Sequence, residues 1–364
     1  MARKVALLAV ALAVVFAGCD ATTVLTASPP DRSLPDPFGC TGYVVVGIWG
    51  QSNAQRGDRA HEVAADPSRL DVARVTDAGY AGVLRWEGDA GAGGVPFTWV
   101  HREDRDGPVT RVGGGPDRRY TAYVDLGNRL YERLGHCVVF VPDAFGGSAM
   151  QAAARPQSQA DGRDKVWDPA HPNGLFEPAL ARLDAAVDHF APALVFVYWS
   201  QGTRDALVVS PDLPPDNPDG ATIEGWRAAF LRLADALHGH FVRRHPDVRP
   251  VEILLSVDVT PRCAPDDAAF LALHDAQRAA AAARPFVHVV SEVMPDPTTY
   301  PHYADGKHLR WSQYRYCENP AIADGLVNVL DPVPGWRPLH TCTQVASPPP
   351  GPCSGARGEG DDGE

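Results

Sequence analysis

Four short stretches of the chain carry side chains suited to acyl chemistry. Trp49-Gly50-Gln51-Ser52-Asn53-Ala54 sets a hydroxyl beside a glycine and two amides. Asp143-Ala144-Phe145-Gly146-Gly147-Ser148 offers adjacent glycines, where the bare backbone lets a substrate come close to N–H donors. Trp199-Ser200-Gln201-Gly202-Thr203-Arg204-Asp205 adds an amide that donates without bringing charge, and a carboxylate. Ala304-Asp305-Gly306-Lys307-His308-Leu309 pairs an imidazole with a carboxylate three residues earlier. A nucleophile, a base, a group to orient the base and oxyanion donors are the parts of acyl transfer. Each also has a plain structural reading. Ser52 suits a helix N-cap, Asp305-Gly306 and Gly146-Gly147 suit turns, and Gln201 suits a cap at a strand end. Asp205 either caps the segment that follows or touches substrate. The joint occurrence of all four, at the ends of apolar runs, favours the chemical reading.

Those runs are the elements that must position the site. Tyr43–Ile48, Val138–Val141, Leu194–Tyr198, Val251–Leu255 and Phe286–Val290 are short and mostly lack polar alternation, as strands covered on both faces do. Between them lie helical periods. Phe176, Leu180, Leu183, Val187 and Phe190 recur at three or four, as do Ile223, Trp226, Phe230, Leu233, Leu237 and Phe241. Ala268–Arg284 is alanine-rich, and Tyr123–Leu134 closes on Gly135 at its C-cap. The alternation predicts a three-layer α/β/α sandwich on a mainly parallel sheet, with ligands beyond the carboxyl ends of the strands. Residues 56–116, rich in Gly, Asp and Arg, form a long insertion after the first strand, with short candidate strands at 83–86 and 97–100. Residues 211–220 are a Pro/Asp loop, and the Pro/Gly-rich acidic tail at 341–364 is expected to be disordered.

The ends of the chain and its charge narrow the setting. Arg3 and Lys4 precede an apolar run, Val5–Ala17, that is shorter than the roughly 20 residues of a membrane span and fits an export leader. The run ends Phe16-Ala17-Gly18-Cys19, which resembles a bacterial lipobox. The expected organisation is a lipoprotein-type signal at 1–18 with Cys19 as the lipidated residue, a flexible tether at 19–38 and one catalytic domain at 39–340. The chain is thus expected in the cell envelope, held by lipid, or else secreted in soluble form. With Cys19 set aside, Cys40, Cys137, Cys263, Cys317, Cys342 and Cys353 suit disulfides in an oxidising compartment. Cys40 and Cys137 each precede a strand, and parallel neighbours would bring them to one sheet edge. The formal net charge of −12 leaves no basic face for nucleic acid and no attraction to anionic lipid. His238, His240 and His245 crowd one helix, but residues two apart do not share a face, so no metal site is expected there.

The four stretches together resemble the SGNH (GDSL-like) hydrolases, and more narrowly the sialate O-acetylesterase and carbohydrate esterase family 6 branch. The stretch from Gly50 to Ala54 is similar to its nucleophile block, Val141–Ala149 to its Gly-Gly block, Trp199–Asp205 to its W-x-Q-G block and Asp305–His308 to its D-x-x-H block, in family order. The resemblance implies Ser52 as nucleophile, His308 as base and Asp305 as the residue orienting it. It implies an oxyanion hole from the Ser52 N–H, a Gly146 or Gly147 N–H and the Gln201 amide. Gln51, Asn53, Trp199 and Asp205 would border substrate, an acetylated carbohydrate, with neither cofactor nor metal. Thr203-Arg204 departs from the family's Glu-Ser, and Gln151-Ala152-Ala153 stands where a tryptophan is frequent, which bears on sugar preference. Two other functions use the same fold or triad: a glycan-binding lipoprotein without turnover, and a lipase or thioesterase. Trp49 and Trp199 either pack the core or stack on a sugar ring; His171 either lines the pocket or begins a helix.

Overall fold

The computed structural model describes residues 41–51, 54, 57–59, 83–85, 119–121, 123–160, 162–211, 219–257, 267–292 and 317–338. Six strands build one sheet: β1 (Tyr43–Gly50), β3 (Val83–Arg85), β5 (Cys137–Pro142), β8 (Leu194–Ser200), β9 (Glu252–Ser256) and β10 (Val287–Ser291), in the order β10-β9-β8-β1-β5-β3. Every pairing in it is parallel. Two antiparallel pairs lie apart from it, β2 (Gly57–Arg59) with β4 (Arg119–Thr121) and β6 (Gln159–Ala160) with β7 (Arg163–Asp164).

The central strands β1, β5 and β8 are apolar along nearly their whole length because both faces of the sheet are covered. Successive side chains go to opposite layers. Val45 and Trp49 of β1, Val139 and Val141 of β5, and Val197 and Trp199 of β8 share a core with α2 (Phe176–Phe190), α4 (Ile223–Arg244) and α5 (Ala268–Ala282). Val44, Val46, Ile48, Phe140, Phe196 and Tyr198 pack on the other side with α1 (Tyr123–Leu134) and α6 (Asn319–Leu330). Each such side chain, fully buried, contributes about 1.5–3 kcal/mol of transfer free energy. Local signals set the helix ends. Thr222 caps α4 by accepting from the Gly225 N–H at 2.9 Å, and Asp267 caps α5 by accepting from Ala269 and Phe270 at 2.8 and 3.3 Å. Gly135, at φ +67°, ends α1.

This is the three-layer α/β/α sandwich read from the sequence. Three details differ. Val83–Arg85 does not stay in a separate insertion but joins the sheet edge beside β5, with Val83 opposite Val138. A short helix, α3 (Thr203–Val209), starts within the third motif, and α6 follows the last strand. The candidate strand at 97–100, the leader and tether at 1–38 and the tail lie outside the described residues.

A candidate active site at the switch point of the sheet

The chain leaves β1 for β3 and β5 on one side, then crosses to β8 on the other. A parallel sheet opens a crevice at such a reversal, beyond the carboxyl end of the middle strand. The three segments after β1, β5 and β8 are the first three sequence motifs, and they meet there.

Gly50 is the knot. At φ +128° it holds a backbone conformation L side chains rarely adopt, and a Cβ would lie 2.1 Å from the Ser200 carbonyl oxygen. Its own carbonyl accepts from the Phe145 N–H at 3.0 Å, the Ser148 hydroxyl at 3.1 Å and the Trp167 indole N–H at 3.2 Å. That indole also donates to Ser148 Oγ at 3.0 Å. The end of β1 is thereby tied to the segment after β5. Gln51 ties it to the segment after β8: its N–H donates to Ser200 O at 3.0 Å, and its Oε1 accepts from Gly202 and Arg204 N–H groups at 3.1 and 3.4 Å. The Ala54 N–H then donates to Gln51 O at 2.8 Å, closing a turn.

Gly146 and Gly147 form the tight turn of the second motif, with Gly147 at φ +69°. Both are half-buried, and neither N–H donates to an acceptor among the described residues.

Several sequence expectations need correction. The Gln201 amide does not face substrate. It is fully buried, and its nitrogen donates to Asp205 Oδ2 at 2.6 Å and to Ser148 O at 3.1 Å, which uses both hydrogens. Its oxygen accepts from the Trp226 indole at 2.8 Å. With both amide hydrogens engaged, it serves as a strut between the second and third motifs. Asp205, also fully buried, accepts from Gln201, from the Met150 and Gln151 N–H groups at 2.8 and 3.3 Å, and from Gln151 Nε2 at 3.1 Å. It fixes the loop behind the glycine turn and cannot reach a substrate. Burial raises its pKa, opposed by those donors. Gln51 is buried with its side chain turned to the β8 segment, so it too is structural. Trp199 packs edge-on to Trp167 at 5.3 Å and against Phe230 at 5.5 Å, while Trp49 stacks on Trp167 at 5.6 Å. All three indoles are core beneath the crevice, closed to a sugar ring. His171 begins no helix; its Nε2 pairs with Asp164 at 2.8 Å, the chief cause of that carboxylate's lowered pKa.

Ser52, Asn53, Asp305, His308 and Cys19 lie outside the described residues. The residues that sequence reasoning passed over are Ser148, Gln151, Trp167 and Trp226, which hold the motifs together. Trp167 had a signal, as a large apolar side chain alone in the polar stretch from Asp164 to Asn173. Its partners did not, being the carbonyl and hydroxyl of two other segments.

No family model matches the chain, and no curated protein matches it in sequence. Among solved structures, NanS superposes with a TM-score of 0.52 at 14% identity, over 79% of this chain and 96% of its own. A protein from Arabidopsis thaliana gives 0.49 at 16% identity, over 79% and 98% of the two chains. A carbohydrate acetylesterase from Xanthomonas citri gives 0.46 at 14% identity, over 79% and 56%. The likeness to NanS establishes a shared α/β fold.

Proposed function

We propose that the protein is an exported serine esterase of SGNH type that hydrolyses O-acetyl esters on carbohydrate. The observation that carries the reading is the meeting of three family-like motifs at the switch point, with the Gly146-Gly147 amides left unengaged beside the segment that leads from Gly50 into Ser52. In this reading Ser52 Oγ attacks the acetyl carbon while His308 takes its proton. Asp305 orients the imidazole and stabilises its charged form. The carbonyl oxygen, now negative, is met by the Ser52 N–H and by Gly146 or Gly147. The tetrahedral intermediate collapses, the C–O bond to the sugar breaks, and His308 returns the proton to the leaving alkoxide. Water, activated by the same imidazole, releases acetate from Ser52. One oxyanion donor is typically worth about 2.7–4 kcal/mol of barrier, so two backbone donors suffice for a large part of the acceleration without the Gln201 amide.

Export and lipid attachment at Cys19 belong to the same proposal. No helix among the described residues is long and apolar enough to cross a membrane; the membrane contact in this proposal is the lipid on Cys19. An oxidising compartment belongs to the same reading: six cysteines remain once Cys19 is set aside, and two of them, Cys137 and Cys317, are buried in the core.

The test is acetate release from an aryl acetate and from a panel of acetylated glycans, with Ser52→Ala beside the parent and an intact mass to read the N-terminal modification. The variant should keep its circular dichroism and lose turnover to background. Unchanged turnover in Ser52→Ala would end the assignment, and a preference for long acyl chains over acetyl would move the substrate to lipids or thioesters.

A further inference from the structure

We infer that Asp184, His240 and His245 form a binding site for a divalent transition-metal ion of the zinc type, remote from the crevice. His240 lies near the end of α4 and His245 caps it; Asp184 lies on α2. Trp226, which bonds Gln201 under the candidate active site, precedes His240 by 14 positions on one helix, about 21 Å along its axis. The two sites are independent.

The histidine that shares a side with His240 is His245, not His238. His238 turns elsewhere, stacking on Phe286 at 3.9 Å with its Nδ1 at 3.3 Å from the Val251 carbonyl. His245 has left the helical conformation, at φ −128° and ψ 62°, and this swings its ring back beside His240. Both imidazoles then direct Nε2 at one carboxylate. His240 Nε2 is 2.8 and 3.0 Å from the Asp184 oxygens, and His245 Nε2 is 2.9 Å from Oδ1. One ligand atom from each of the three residues falls within 4.8 Å of the other two.

Such a set fits a transition ion. Two imidazoles and a carboxylate are nitrogen-rich donors of the kind zinc accepts, whereas magnesium and calcium select oxygen. Ligands at 2.0–2.1 Å in a tetrahedron stand about 3.3 Å apart, so inserting the ion widens each N···O contact by only about 0.4 Å. Binding requires each ring to free its Nε2 lone pair, leaving the remaining proton on Nδ1. For His245 that nitrogen faces Asp188 at 3.8 Å, and Arg244 holds Asp188 from outside at 2.8 Å. A carboxylate behind a ligating imidazole is the usual outer partner of a metal-bound histidine. His245 is buried, which fixes it, while Asp184 and His240 keep partial exposure, which leaves a path for the ion and a place for a water as fourth ligand. The ion would pin the end of α4 to the middle of α2.

The test uses the full chain, stripped with chelator and titrated with Zn²⁺ by calorimetry and with Co²⁺ by visible absorption. The parent should take up one equivalent, show the ligand-field bands of cobalt bound by nitrogen, and rise in melting temperature with Zn²⁺ but not with equal Mg²⁺. His240→Gln removes one partly exposed ligand and leaves the buried His245 in place. It should bind at least about tenfold more weakly and lose the bands, while its aryl acetate turnover equals the parent's. The double variant His240→Gln/His245→Gln should show no specific uptake. No uptake by the parent, or equal uptake by parent and His240→Gln, overturns the site whatever the esterase assays return.

Discussion

Asp205 is a carboxylate with no exposed surface and four donors around it. Its replacement by asparagine keeps the shape and changes the valence. An amide has one acceptor oxygen, and its NH₂ would confront donors, so at least one of the Met150, Gln151 and Gln201 groups loses its partner. An unsatisfied buried donor costs about 1–3 kcal/mol. Asp205→Asn should therefore unfold earlier in urea by about that amount. The pH dependence has a definite sign. Burial raises the folded-state pKa above the ordinary value of an aspartate. Over the interval between the two, the folded chain holds a proton that the unfolded chain has lost, so this residue's contribution to stability falls as pH rises and levels off above the folded pKa. Asparagine has no such slope. The deficit of the variant should shrink as pH rises through that interval, measured as the difference in unfolding free energy between the two proteins at each pH. A deficit that grows with pH would mean that the donors outweigh desolvation and hold Asp205 ionised.

Elements carry the positioning. Asp267 sits at a junction of two of them: it caps α5 and accepts from the Ser210 hydroxyl, at the end of α3, at 2.5 Å. Asp267→Ala removes a cap and an interhelical tie, and should cost about 2 kcal/mol in thermal or urea unfolding. Asn at the same position should recover most of it, because its oxygen can still cap. The strands and long helices were legible because burial writes a period into the chain: the continuous apolar run of Leu194–Tyr198 and the three-four spacing from Phe176 to Phe190 have no other economical reading. Val83–Arg85 was ambiguous because three residues carry no period, and its place beside β5 comes from a partner more than 50 residues away. The site divides in the same way. Gly50 and Gly147 carry a mark in the sequence, since each holds a positive φ that favours glycine over other residue types. The fate of Gln201 was not recognisable. An amide that donates to substrate and one saturated by Asp205, Ser148 and Trp226 look alike in sequence, and two of those three partners lie 25 or more residues distant. The position of His245 was hidden for a related reason: it stands past the end of α4, where helical spacing no longer sets direction.

The molecule as a whole carries a formal charge of −12, spread over a chain with 45 acidic and 33 basic side chains. For the proposed activity this field acts on the encounter, before any contact at the crevice. A neutral aryl acetate does not feel it. An acetylated polymer bearing its own carboxylates is repelled at a range set by salt, with a screening length of about 30 Å at 0.01 M and about 8 Å at 0.15 M. The value of kcat/KM on an anionic acetylated glycan should therefore rise between those two concentrations, while that on the aryl ester stays level. Like charge acts on association rather than on the chemical step, so the rise belongs in kcat/KM and not in kcat. A rate that falls with salt on the anionic polymer would require a basic patch strong enough at the mouth of the crevice to reverse the sign of the whole, and would make an acidic glycan the favoured substrate instead of a disfavoured one.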